Sequence, residues 1–272
     1  HNQSSPKVML WVDTFNNAFH PEILQAAVTV LELAGYQVVI PPNGSCCGRP
    51  LFDWGMLAQA KRLLEAQLQG LREALRADLP IVVLEPSCGA TFRDELLNLF
   101  PGEPAARKLA ESTLLLSEFL EKKAAGFALP HLARSAIVQG HCHHSAIMKL
   151  TDEQRVLKRL GLDFQVLDSG CCGMAGAFGF EALHYDTSMK IGERVLLPAV
   201  RQAGDSTLII ADGFSCREQI DQGSERHALH LAEVIELALT QSPDQPPQHL
   251  PELAAPRVRE ARRHERRRAG TT

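Results

Sequence analysis

The tripeptide Cys46-Cys47-Gly48 recurs 125 residues later as Cys171-Cys172-Gly173. Each copy is followed by one lone cysteine, Cys88 after the first and Cys216 after the second, and the seventh cysteine, Cys142, precedes the second pair. Neighbouring side chains diverge in a loop or strand, so packing seldom calls for two adjacent thiols. Thiolates converging on a metal explain a repeated pair better. Cys142, Cys171, Cys172 and Cys216 supply four, enough for a four-iron cluster (4Fe-4S) or a tetrahedral zinc ion. Cys46, Cys47 and Cys88 supply only three. Counting back the 29 residues that separate Cys142 from Cys171 lands on Asn17, so the first-half set either is completed by a carboxylate, His20 or water or is the remnant of a lost site.

Gly170, Gly173 and Gly176 surround the second pair. Glycine lets the backbone approach closely and turn its N–H groups toward sulfur, which stabilises thiolate and sulfide charge and tunes a reduction potential. His141 and His143 flank Cys142 and read as supporting partners of the centre, with ligation, proton relay and helix capping left open. The competing reading of the pair is a tight turn holding incidental buried thiols.

The elements that must position these residues alternate between strand and helix. Apolar runs at 8–12, 38–40 and 81–84 read as strands, with helices from about Pro21 and over 57–75 between them. Runs at 136–138, 164–167 and 207–211 repeat the order, with helices over 144–160 and 181–203. The fold class is therefore α/β, built of two pseudo-repeated βαβ-type halves with cysteines at the carboxyl ends of parallel strands, where ligands collect in such sheets. The expected organisation is a first repeat with a helical connector (1–134, the connector being 101–134), a second repeat (135–240), and a disordered Pro/Arg-rich tail (241–272).

Composition excludes several classes of function. The net charge is −4 and 45% of residues are apolar. The tail carries seven arginines against four acidic residues, which leaves the body acidic and unsuited to nucleic acid. An odd number of cysteines and no secretory segment point to a reducing, cytoplasmic setting. No apolar run is long enough for a membrane span, which leaves only peripheral membrane association open. The chain opens on His1 rather than methionine, and so reads as a piece of something longer.

Residues 169–181 (SGCCGMAGAFGFE), 140–143 (GHCH) and 212–217 (DGFSCR) resemble the cysteine-rich CCG domain family. That family includes the cysteine-rich component of heterodisulfide reductase and the iron–sulfur subunits of glycolate, glycerol-3-phosphate and lactate oxidising systems. The likeness covers residues 8 to 239 and is strongest to the C-terminal iron–sulfur region of bacterial FAD-linked 2-hydroxy-acid dehydrogenases. It implies an iron–sulfur electron-transfer domain, one component of an oxidoreductase acting on a glycolate-, lactate- or 2-hydroxyglutarate-like acid. It also implies ligation by Cys142, Cys171, Cys172 and Cys216, with Cys46, Cys47 and Cys88 matching the other copy. FAD would sit in a flavoprotein partner or missing domain, beside a ferredoxin-like module, because this chain has neither a Gly-rich FAD segment nor a Cys-x-x-Cys-x-x-Cys run. The family's fullest pattern ends in Cys-x-x-Cys, whereas here Thr91 and Gln219 hold the last place. Two alternatives stay open: a zinc-stabilised interaction domain, and heterodisulfide-reductase-like thiol chemistry.

Overall fold

Short, largely apolar runs of three to five residues, each followed by a helix or helical turn, form seven strands. These are β1 (Lys7–Trp11), β2 (Gln37–Val39), β3 (Ile81–Val83), β4 (Thr113–Leu115), β5 (Ser135–Val138), β6 (Asp163–Val166) and β7 (Leu208–Ile210). The computed structural model describes residues 5–41, 46–240 and 250–254. One sheet has the order β2-β1-β3-β4 and the other β6-β5-β7, and every pairing is parallel. The order β2-β1-β3 is repeated by β6-β5-β7, so these three strands of each half correspond, and β4 is an addition to the first sheet.

Period-two alternation assigns the faces. Val8, Leu10, Val82 and Leu84 point into a core shared with Ala136, Val138, Leu208 and Ile210 of the second sheet. Met9, Trp11, Ile81 and Val83 point the other way, onto Leu64, Leu68 and Phe92. The shared core is filled by the helices Pro21–Leu33, Leu116–Lys122, Thr151–Arg159 and Leu231–Thr240, the first and last of which pack on one another. The two halves are thus held by continuous apolar contact, with their carboxyl strand edges turned toward a common space.

Two expectations need correction. The helical connector contains a strand: β4 lies between the helices Pro104–Ser112 and Leu116–Lys122 and pairs with β3. Three residues enclosed by helix are too few for a period-two pattern to register. The helix expected over 144–160 breaks at Lys149, whose φ is 68°, into a π-helical turn (His144–Met148) and the helix Thr151–Arg159. Most of the tail, 241–249 and 255–272, lies outside the described residues. Within it, however, Pro251–Ala254 forms a turn in which Glu252 is buried and accepts from Arg226 Nε at 2.6 Å and Nη2 at 3.2 Å. Among the described residues, no helix is long and apolar enough to cross a membrane.

Candidate metal centre

All seven cysteines line one cavity of about 610 Å³ between the carboxyl edges of the two sheets. Cys46 and Cys47 follow β2, Cys88 follows β3, Cys142 follows β5, Cys171 and Cys172 follow β6, and Cys216 follows β7. Sequence alone placed the cysteines in two separate sets; the fold turns the sets toward each other.

The two Cys-Cys-Gly turns have the same construction. Gly48 N–H donates to Cys46 Sγ at 3.4 Å, and Gly173 N–H donates to Cys171 Sγ at 3.3 Å. The next amide does the same for the second cysteine: Arg49 N–H bonds Cys47, and Met174 N–H reaches Cys172 Sγ at 3.5 Å. This geometry requires the third residue in the left-handed region, with φ 83° at Gly48 and 100° at Gly173, which is why glycine stands there. A Cβ on Gly173 would also lie 2.2 Å from the Ser188 carbonyl oxygen. Amides converging on adjacent sulfurs suit thiolate or sulfide charge, so the turns pass one test for a metal or iron–sulfur centre.

The thiols form two contact groups. In the first half, Cys88 and Cys47 are hydrogen-bonded to each other. That bond, then burial, then the carboxylates of Asp13 and Glu85 raise Cys88 well above the usual thiol range. The same bond, helped by the Arg49 amide and the Thr91 hydroxyl, lowers Cys47 against burial. In the second half, Cys172 bonds both Cys171 and Cys216. The bond to Cys171 lowers Cys172, but its bond to Cys216 and burial raise it well above normal. The bond to Cys172 and burial raise Cys171, while partial desolvation and then Cys171 raise Cys142. The raised thiols, Cys88, Cys142, Cys171 and Cys172, are poor free nucleophiles and would lose their protons readily only to a bound cation.

His141, Cys142 and His143 each bring a donor atom within 4.8 Å of the others. Burial pushes His141 and His143 down to about 4, so both imidazoles are neutral near pH 7. Neutral imidazole is the ligating form. His141 Nδ1 accepts from the His143 amide at 3.2 Å, and Gly213 leaves room for its ring, since a Cβ there would lie 2.2 Å from His141 Cδ2.

Several residues of the site were not legible in advance. Arg49, directly after the first turn, reaches across the cavity: Nη2 lies 2.9 Å from His143 Nε2, and the guanidinium also pairs with Glu95. Glu85 caps its own helix through Ser87 and accepts the Phe214 amide of the second half at 2.8 Å. Arg217, fully buried, donates to Asn16 Oδ1 at 2.8 Å and to the Asp212 carbonyl. The motif DGFSCR contains Arg217, yet a buried cation binding the opposite half has no spacing signature. The first-half position facing the cavity like Cys142 is Thr14, beside Phe15, not the exposed Asn17 found by counting. His20 pairs with Glu218 and Glu22 instead of lining the cavity. The two places where the family's fullest pattern has a further cysteine are polar: Thr91 bonds Cys47, and Gln219 Nε2 donates to the Ser188 carbonyl at 3.2 Å.

The family model for the cysteine-rich CCG domain matches residues 13–93 and again 141–221. The chain belongs to that family and contains two copies of its domain. D-2-hydroxyglutarate dehydrogenase of Pseudomonas putida is 27% identical over 235 residues, which are 86% of this chain and 22% of the relative. A subunit of the anaerobic glycerol-3-phosphate dehydrogenase of Escherichia coli is 27% identical over 244 residues, 87% of this chain and 60% of the relative. Lactate utilization protein A of Bacillus velezensis is 27% identical over 246 residues, 84% of this chain and 98% of the relative. The chain spans about a fifth of the first relative and three fifths of the second. The first of these relatives is named as a dehydrogenase and the second as a dehydrogenase subunit.

Proposed function

We propose that this chain is an iron–sulfur electron-transfer domain of an oxidoreductase that oxidises a 2-hydroxy acid, and that it works with a flavin-bearing partner or domain. The observation that carries the proposal is the pair of amide-lined Cys-Cys-Gly turns opening on one cavity with seven thiols. Cys142, Cys171, Cys172 and Cys216 would hold a 4Fe-4S cluster. Such a cluster, when bound, accepts and releases single electrons. Gly170, Gly173 and Gly176 free the backbone amides around Cys171 and Cys172, while Arg49 and neutral His143 set the local charge. Phe15, Trp54 and Phe180 line the cavity with large exposed faces, which suits a docked electron donor. The names of the relatives support the substrate class.

Zinc is the second reading, favoured by the convergence of His141, Cys142 and His143. The raised thiols of the second half weigh against direct thiol–disulfide chemistry. Anaerobic purification with iron, sulfide and zinc analysis separates these readings. A brown protein with about four irons and a reducible EPR signal supports the cluster. A colourless protein holding zinc and no iron overturns it.

A further inference from the structure

Behind the cysteine cavity, a second group of donors has no part in the proposed cluster. His144 lies on the π-helical turn after Cys142, Glu153 on the helix Thr151–Arg159, and Asp212 at the end of β7. All three are buried, and each brings one donor atom within 4.8 Å of the others. Neither ring nitrogen of His144 makes a hydrogen bond, although Nδ1 is only 3.1 Å from Glu153 Oε2. Asp212 Oδ1 accepts the Leu231 amide at 2.9 Å and stands 3.5 Å from His230 Nε2, which itself bonds the Leu84 carbonyl. Among the described residues, no lysine or arginine side chain pairs with either carboxylate; Arg217 reaches only the Asp212 backbone oxygen.

We propose that His144, Glu153 and Asp212 form a separate binding site for a divalent first-row cation, held through one imidazole nitrogen and two carboxylate oxygens. Two buried carboxylates beside a neutral imidazole carry charge that burial penalises severely unless a proton or a cation offsets it. A divalent ion cancels both charges and gives the orphaned imidazole a partner. Metal–ligand bonds of about 2.0–2.2 Å place donors roughly 3–4 Å apart, so only a small contraction of the observed spacing is needed. The site would tie the carboxyl ends of β5 and β7 to the helix Thr151–Arg159, behind the loop that carries Cys142. It uses no cysteine and is independent of the cluster proposal.

The test exploits hardness: Mn²⁺ favours carboxylate and imidazole over thiolate, so the cysteines compete poorly for it. The full chain, purified anaerobically, is dialysed against MnCl₂, washed, and analysed for manganese per chain and for Tm. About one retained Mn²⁺ is expected in the unaltered protein and in Cys171→Ser, with roughly tenfold or greater loss in Glu153→Gln. Mn²⁺ should raise the Tm of the first two proteins and leave that of Glu153→Gln unmoved. If Glu153→Gln fails to fold by circular dichroism, His144→Asn takes its place. Retention of no Mn²⁺ by the unaltered chain, or equal retention by the variant, overturns the site and leaves a protonated Glu153 as the offset.

Discussion

In the first half, Cys47 and Cys88 face two buried acids, Asp13 and Glu85, and the position opposite Cys142 is Thr14. In the second half, four thiols face two neutral imidazoles and the Arg49 guanidinium. The backbone turn is the same in both, down to the amides that point at each sulfur. A shared turn therefore fixes where sulfurs sit, while the residues around it decide how much negative charge the spot tolerates. Carboxylates beside the first set oppose an anionic cluster, and the cation beside the second favours one. The halves are duplicated in scaffold and divergent in electrostatics.

Restoring the absent thiol should produce the largest change. Thr14→Cys gives the first half four cysteines, and iron plus zinc per chain should rise above the unaltered value by elemental analysis. No rise would mean that Asp13 and Glu85, not the ligand count, limit that half. The two third-position glycines differ in the space around them. Gly173→Ala meets both positive φ and the Ser188 carbonyl, at a cost of about 3 kcal/mol or more. Gly48→Ala meets the same φ but nothing closer than 3.4 Å, and should cost about 1–2 kcal/mol. Denaturant unfolding of both variants would break the comparison if the order reversed.

The second half is also clasped by the segment after its last helix. Glu252→Gln weakens the buried bonds to Arg226 and should lower stability by about 1–3 kcal/mol in chemical unfolding. The smallest effect is one of pH. Burial raises Glu118, but Arg93, the Leu115 amide and Lys122 outweigh it, and the net shift is below 4.5. A carboxyl lowered in the folded state contributes stability above pH 4.5 and loses it as pH falls below that value. Glu118→Gln should therefore flatten the acid limb of a stability profile below pH 4.5. An unchanged limb would remove Glu118 from the account. The buried Glu153 of the second half has no such cations, a contrast between the halves opposite in sense to that of the thiols.

The duplication, the parallel α/β class and the placement of cysteines after strands were legible because they are periodic or repeated. Cys88 and Cys216 announce themselves by their place after apolar runs at 81–84 and 207–211. What was illegible lies between elements. Glu85 capping the helix of Cys216, Arg217 seeking Asn16, and Arg49 reaching His143 all join residues 94 to 201 positions apart, where no spacing rule applies. Counting from Cys171 to Cys142 gave Asn17 because it assumed equal loops. The turn and helix after β1 make Thr14 the cavity residue instead. Strand β4 escaped because three residues between two helices carry no pattern of their own.

The central claim is that the four second-half thiols hold one cluster and the first-half thiols do not share it. Iron content and the reduced EPR signal of anaerobically prepared single variants test it most directly. Cys142→Ser, Cys171→Ser, Cys172→Ser and Cys216→Ser should each lose most of the iron and the signal, while Cys46→Ser and Cys88→Ser keep nearly all of both. Full iron in Cys171→Ser or Cys216→Ser, with loss in Cys46→Ser or Cys88→Ser, would contradict the account and move the centre to the first half.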